Sequence, residues 1–345
     1  MTKTLAINRF TGIETRSSIG TEDHPLVNGA NAPLISDLNK IFFSDGVPLA
    51  VAAARKAIAE AGLDMSEITH LVSTTCTDSS NPGFDHYVAK ILGLNSNVEK
   101  VLLHGVACSG GLAALRTAAN LALGYSALNK PARILCLALE ISTPLVRSEL
   151  DSISGLQQTR VGVALFSDCG SALVLSNNIG KLGRPIYELL GWTQKLIPDT
   201  DQDLGFDIDP HGWKVNLSQR VPELTSSAIP STYRDLLATV APISACSSAQ
   251  DFDWAMHPGG ASILAGVERV LGISPEHMRA SYDRYIHHGN SSSASIFSVM
   301  DRLRESEMDK LAPDGRVRDH VVACAFGPGI MIEMSLLKRN VPGRS

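Results

Sequence analysis

Short unbroken apolar runs alternate with longer stretches whose apolar positions recur at helical spacing. Residues 68–75, 101–107 and 134–139 read as strands, the last two buried because no polar alternation interrupts them. Residues 48–62 open on Pro48 and stop at Gly62, the proline-first, glycine-last signature of a helix. Residues 84–92 and 110–124 predict two more helices, and 76–83 a loop. The same grammar returns later in the chain: a strand at 253–256, then helices at 261–271, 275–285 and 291–303. Residues 161–176 predict a hairpin folding at Ser167-Asp168-Cys169-Gly170, and residues 321–335 predict a second. Residues 1–47 yield no regular element from pattern alone, and 28–33 read as loop. Strands alternating with helices predict an α/β layered fold. The likeness of the two hairpins predicts an internal duplication. The expected halves are 1–180 and 181–345, with the boundary in the polar, glycine-containing stretch 177–183.

Composition adds exclusions. A chain of 345 residues is long enough for one large domain or two smaller ones. A formal charge of −5 gives no electrostatic reason to expect nucleic acid or an anionic membrane as partner. No stretch approaches the roughly 18 unbroken apolar residues of a membrane span, and the first residues lack the apolar run of a secretory signal. The six cysteines (Cys76, Cys108, Cys136, Cys169, Cys246, Cys324) are scattered without a CxxC pair. That argues against a disulfide framework or a zinc site and makes the cytoplasm the default compartment.

Candidate chemistry centres on Cys108. It ends an apolar run and precedes Ser109-Gly110-Gly111 and a small-residue helix. The positive end of the helix dipole favours a thiolate there, and the two glycines clear space for a substrate. A buried structural thiol fits the same segment equally well. His257 stands in the mirrored position in the later half, at a strand end before Pro258-Gly259-Gly260, and Asn290 follows Gly289 before a serine-rich helix start. Each alone reads more readily as a structural histidine or an N-cap. Three such residues at element ends, each with glycines beside it, suggest one nucleophilic site.

Ala107-Cys108-Ser109-Gly110-Gly111, His257-Pro258-Gly259-Gly260, Gly289-Asn290 and Phe326-Gly327-Pro328-Gly329 together resemble the thiolase-fold condensing enzymes. Among these, the chain resembles the type III polyketide synthases of the chalcone synthase kind, from about Lys3 to Lys338. The resemblance implies two similar halves in a layered α-β-α-β-α packing, a homodimer, CoA thioesters as substrates, and no metal or bound redox cofactor. It implies that Cys108, as thiolate beside protonated His257, accepts a starter acyl group from its CoA thioester. His257 and Asn290 would hold the malonyl-CoA thioester carbonyl, stabilising the enolate left by decarboxylation. Repeated extension and cyclisation would give a pyrone or resorcinol-type product. By the same resemblance Phe166 is a gatekeeper, and Gly327, Pro328 and Gly329 form a cyclisation-pocket loop. Thr75, Ser142, Leu145, Phe206 and Ser292 would line the cavity, and Lys3, Arg9, Gly260 and Ala261 would meet the CoA.

The chain also departs from that family. Members begin with an additional strand and helix before the segment equivalent to Lys3, and impaired activity is the expectation if those are truly missing. The loop at 79–81 is a residue longer than in the family. The cavity set differs from that of plant chalcone synthases, and Ile7-Asn8-Arg9-Phe10-Thr11-Gly12 looks more like fungal members taking fatty or small acyl-CoA starters. Two other readings stand beside this one: a ketoacyl-ACP synthase III-like enzyme, and a catalytically impaired thiolase-fold subunit.

Overall fold

Side-chain alternation along a few apolar strands explains most of the architecture. The computed structural model describes residues 2–21, 23–180, 183–240 and 248–340; Cys246 and part of the 177–183 boundary lie outside them. One four-stranded sheet has the order β2-β1-β3-β4, built from β1 (His70–Thr74), β2 (Glu99–Leu103), β3 (Arg133–Glu140) and β4 (Cys169–Ser176). The other has the order β5-β10-β9-β8, from β5 (Tyr187–Leu196), β8 (Asp253–Met256), β9 (His320–Gly327) and β10 (Met331–Arg339). A separate hairpin pairs β6 (Leu204–Asp209) with β7 (Gly212–Leu217).

Successive strand residues point to opposite faces, so both central strands feed two cores at once. On β3, Ile134 and Cys136 face the middle of the molecule, whereas Leu135, Leu137 and Leu139 pack outward on the helices Val47–Glu60 and Phe84–Leu92. On β9, Val321, Ala323 and Ala325 face the middle, whereas Val322, Cys324 and Phe326 face the helices Val221–Ala238 and Ala261–Leu271. Between the sheets lie the helices Gly110–Ala127 and Ser295–Leu303, sharing one core with both. The result is five layers, α-β-α-β-α.

Two local readings of the sequence are corrected. Residues 101–107 do not form a buried strand. β2 ends at Leu103, lies at the sheet edge and is only half-buried, because Gly105 at φ +75° turns the chain away. Residues 161–176 do not form a hairpin. Gly162–Leu165 is a helical turn, and β4 pairs antiparallel with β3 instead. The Glu149 carboxylate fixes that turn by accepting a hydrogen bond from the Val163 N–H at 2.8 Å. Phe166 then bridges to Asn290, far along the chain, rather than to a strand beside it.

The two sheets are therefore alike but not equivalent. β5 covers the outer edge of β10 along Met331–Arg339. The outer edge of β4 has no partner strand among the described residues, and a cleft of about 1200 Å³ runs along it past Leu173 and Leu175. The segment before residue 47, unread from pattern, contains the helices Thr2–Thr11, Pro25–Asn28 and Ile35–Ile41.

The close approach of the central helices is set by Gly111. A Cβ there would lie 2.4 Å from Ile296 Cγ2 and 2.6 Å from the Ser293 carbonyl oxygen. Backbone cannot yield as a flexible side chain does, so Gly111→Ala should destabilise by about 1–3 kcal/mol through overpacking. Urea unfolding checks this, and an unchanged midpoint would show that the helices are free to separate.

Candidate active site

The sequence turns sharply between β2 and the helix Gly110–Ala127, and that turn holds Cys108. Ala107–Ser109 is a single 3-10 turn, entered by Ala107 at φ +36°, a conformation uncommon for a residue with a Cβ. His257 follows β8 directly, its N–H donating to the Cys324 carbonyl at 2.8 Å, so β9 fixes where the ring begins. Asn290 comes after Gly289 at φ +76° and before the 3-10 turn Ser292–Ala294, not at an N-cap.

A chain of contacts joins the three. Cys108 Sγ lies 3.4 Å from Ser292 Oγ. The Ser292 N–H donates to Asn290 Oδ1 at 2.9 Å, which turns the other end of the carboxamide, Nδ2, toward the Gly259 carbonyl at 3.4 Å. Gly259 in turn packs on the His257 ring, where an added Cβ would lie 3.3 Å from Cδ2. All three functional side chains are buried. Among the described residues neither ring nitrogen of His257 has a hydrogen-bond partner, an arrangement that leaves both free for a ligand.

Burial dominates the electrostatics. It pushes the Cys108 thiol up to about 12 and the His257 imidazole down to about 3. A lone charge on either is thus disfavoured in the unliganded chamber. Glu140, at the end of β3, is buried too, and burial raises its carboxyl. It gathers donors: the Cys76 N–H at 3.1 Å, the Cys76 thiol at 3.3 Å, the Thr77 hydroxyl at 3.0 Å and the Ser293 hydroxyl.

Ser292, whose hydroxyl contacts Cys108 Sγ, also lines a chamber with Phe166, Phe206, Ser142 and Leu145, and with Cys76, Thr77, Trp213 and Val215. The Phe166 and Phe206 rings face each other, centroids 6.3 Å apart. Thr75 sits one residue away from the lining, its hydroxyl 3.4 Å from Glu140 Oε2. Cys76, its neighbour, takes the chamber-facing place. Gly327 closes the site from the second sheet: a Cβ would lie 2.2 Å from Ser109 Oγ and 2.5 Å from the Val106 carbonyl, so only glycine lets the turn press this close. Pro328 follows, and Gly329, at φ +62°, donates its N–H to the Leu204 carbonyl at 3.0 Å. Arg9 is exposed in the last turn of Thr2–Thr11, and the Lys3 side chain lies outside the described residues. Gly260 caps the helix that begins at Ala261, with open space around its Cα.

Sequence reasoning missed Cys76, Glu140 and the β6–β7 hairpin that carries Trp213 and Val215. A signal for the first two existed. Glu140 is a carboxylate ending an apolar strand, and Cys76 follows β1 at the sheet end where Glu140 also lies. Among the described residues no cluster suits a metal ion, and no helix is long and apolar enough to cross a membrane.

Comparison with known proteins gives the site a context. Family models described as chalcone and stilbene synthases match the chain twice, the N-terminal domain over residues 3–178 and the C-terminal domain over 188–342. The chain is 39% identical to the type III polyketide synthase pspB of Penicillium soppii, covering 98% of this chain and 87% of that protein. It superposes on the crystal structure of the fungal type III polyketide synthase ORAS with a TM-score of 0.97 at 65% identity, covering 99% of this chain and 91% of that one. The structure of CsyB complexed with CoA-SH matches with a TM-score of 0.94 at 36% identity, covering 98% and 91%.

The hub at Glu140 has a measurable consequence. Glu140→Leu strands several buried donors at once, each costing about 1–3 kcal/mol when unsatisfied. Partial relaxation makes the expected loss about 2–4 kcal/mol in urea unfolding, and a loss under about 0.5 kcal/mol would mean that the donors find other partners.

Proposed function

The chain belongs to the chalcone and stilbene synthase family and is a type III polyketide synthase, a condensing enzyme of the acyltransferase kind, and we propose that Cys108, His257 and Asn290 carry out its condensation. The observation that carries the assignment is the contact chain from Cys108 Sγ through Ser292 and Asn290 to the His257 ring. The substrates are CoA thioesters: CsyB, a relative of the same fold, binds CoA-SH.

In the loading step Cys108 gives its proton to the neutral His257 ring, and the sulfur attacks the starter thioester carbonyl. CoA leaves as its thiol, taking the proton back. Malonyl-CoA then enters with its thioester oxygen toward His257 and Asn290 Nδ2. Loss of CO2 puts negative charge on that oxygen, and donors already in position stabilise it in a dry chamber. The resulting carbanion attacks the acyl-cysteine carbonyl, and the bond from that carbon to the Cys108 sulfur breaks. Cys108 leaves as a thiolate, and the acyl chain, two carbons longer, is now carried on CoA. Phe166 and Phe206 bound the space into which the chain grows, and the turn Gly327-Pro328-Gly329 bounds the folding of the product to a pyrone or resorcinol-type ring.

The CoA phosphates are assigned to Lys3 and Arg9 and to the turn at Gly260 and Ala261, where a helix begins with unpaired N–H groups. The enzyme works as a cytoplasmic homodimer of chains divided near 177–183 into halves 1–180 and 181–345.

Incubation with radiolabelled malonyl-CoA and a panel of acyl-CoA starters tests the reading. Product forms with CoA thioesters alone and is lost in Cys108→Ala; product only with acyl carrier protein would overturn it. A second measurement addresses the proton. His257→Ala removes the ring proposed to receive the Cys108 proton, so iodoacetamide labelling of Cys108 at pH 8 should slow by about tenfold or more through loss of that base. An unchanged rate would show that the two residues share no proton.

A further inference from the structure

Two thiols share one hydroxyl in this site. Cys108 Sγ and Cys76 Sγ each lie 3.4 Å from Ser292 Oγ, which caps their separation at twice that distance. Ser292 holds the oxygen between them from an unusual backbone, φ +47°, with its N–H tied to Asn290 Oδ1. Cys76 faces the same chamber as Phe166 and Phe206. Its thiol donates to Glu140 Oε2 at 3.3 Å, and no cation is hydrogen-bonded to that carboxylate among the described residues. The condensation described above uses neither Cys76 nor Glu140.

We propose that Cys76 is a second acyl acceptor, taking the acyl group from Cys108 and holding it in the chamber while Cys108 reloads. The inference rests on the reading of Cys108 as the loading nucleophile. The step is a thiol–thioester exchange. Glu140 takes the Cys76 thiol proton as the Cys76 sulfur bonds to the acyl carbonyl carbon. The bond from that carbon to the Cys108 sulfur breaks, and Cys108 leaves as a thiolate that accepts a hydrogen bond from the Ser292 hydroxyl. One thioester is exchanged for another, so no oxidant, water or further co-reactant is consumed. The proton on Glu140 returns when the group passes back.

The geometry suits the exchange. The thioester carbon is one bond from the Cys108 sulfur, and both sulfurs contact the same Ser292 hydroxyl, so the exchange asks only a short approach to the near-attack distance of about 3–3.5 Å. Burial raises the Glu140 carboxyl, making it a stronger base than an ordinary surface carboxylate. Burial raises the Cys76 thiol as it raises that of Cys108, so the two sulfurs are told apart by their neighbours: Cys108 is tied through Ser292 to Asn290, and Cys76 is hydrogen-bonded to Glu140. The relay requires an order: Cys108 first, Cys76 second.

Mass spectrometry reads that order directly. The protein is incubated with an acyl-CoA starter without malonyl-CoA, quenched in acid, weighed intact and mapped by pepsin at low pH, where thioesters do not migrate. The wild type should gain two acyl groups, on the peptides of Cys76 and Cys108. Cys76→Ala should gain one, and Cys108→Ala none. A single acyl group on wild-type Cys108 would overturn the relay while leaving the proposed condensation intact. Acylation of Cys76 in Cys108→Ala would overturn it too, since the second thiol would then load straight from CoA. A wild type with no acyl group at all would sink the loading step of the proposed function, and the relay with it.

Discussion

Everything at the site depends on how closely two central helices approach each other. Gly110 and Gly111 carry no side chains, so the first turn after Cys108 packs directly on Ser293 and Ile296. A Cβ on Gly110 would meet Thr74 Oγ1 at 2.4 Å, which shows that β1 presses on the same turn. Through this contact the sulfur from one half of the chain reaches the serine and asparagine from the other. A longer separation between the helices would leave the same residues present but apart.

That packing also dries the chamber. Cys108, His257 and Glu140 are all withdrawn from water, and burial opposes charge on each of them. Burial thus holds the Cys108 thiol and the His257 ring toward their neutral forms, while the Glu140 carboxylate is met by several hydrogen-bond donors. Such an environment strengthens each hydrogen bond to a developing oxyanion, because nothing competes for the donors. Among the described residues the His257 ring nitrogens have no partner, as the proposed role of that ring in holding a substrate requires.

The two sheets divide the work unequally. The first sheet supplies the strand ends that carry Cys76 and Glu140, and its edge strand β2 leads into the turn of Cys108. The second supplies His257 after β8 and presses Gly327 against Ser109. Phe166 belongs to neither sheet, and its bridge to Asn290 ties the halves together directly over the chamber. The edge of β10 is covered by β5, whereas that of β4 is open among the described residues.

Periodicity alone was enough to find β1, β3, β8, β9 and β10 and most of the helices, because a strand buried on both faces leaves a continuous apolar run. The motifs around Cys108, His257 and Asn290 were legible for a related reason: glycines beside a polar residue mark places where backbone must come close. Local pattern misread residues 161–176, since the Glu149 carboxylate and the distant Asn290 decide that segment, and neither is near in sequence. It missed Cys76 and Glu140 as one unit because their meeting depends on β1 and β3 lying side by side. Spacing along a chain encodes which face a residue takes. Which residues then share a hydroxyl, or lose their water together, is set only when separate elements pack.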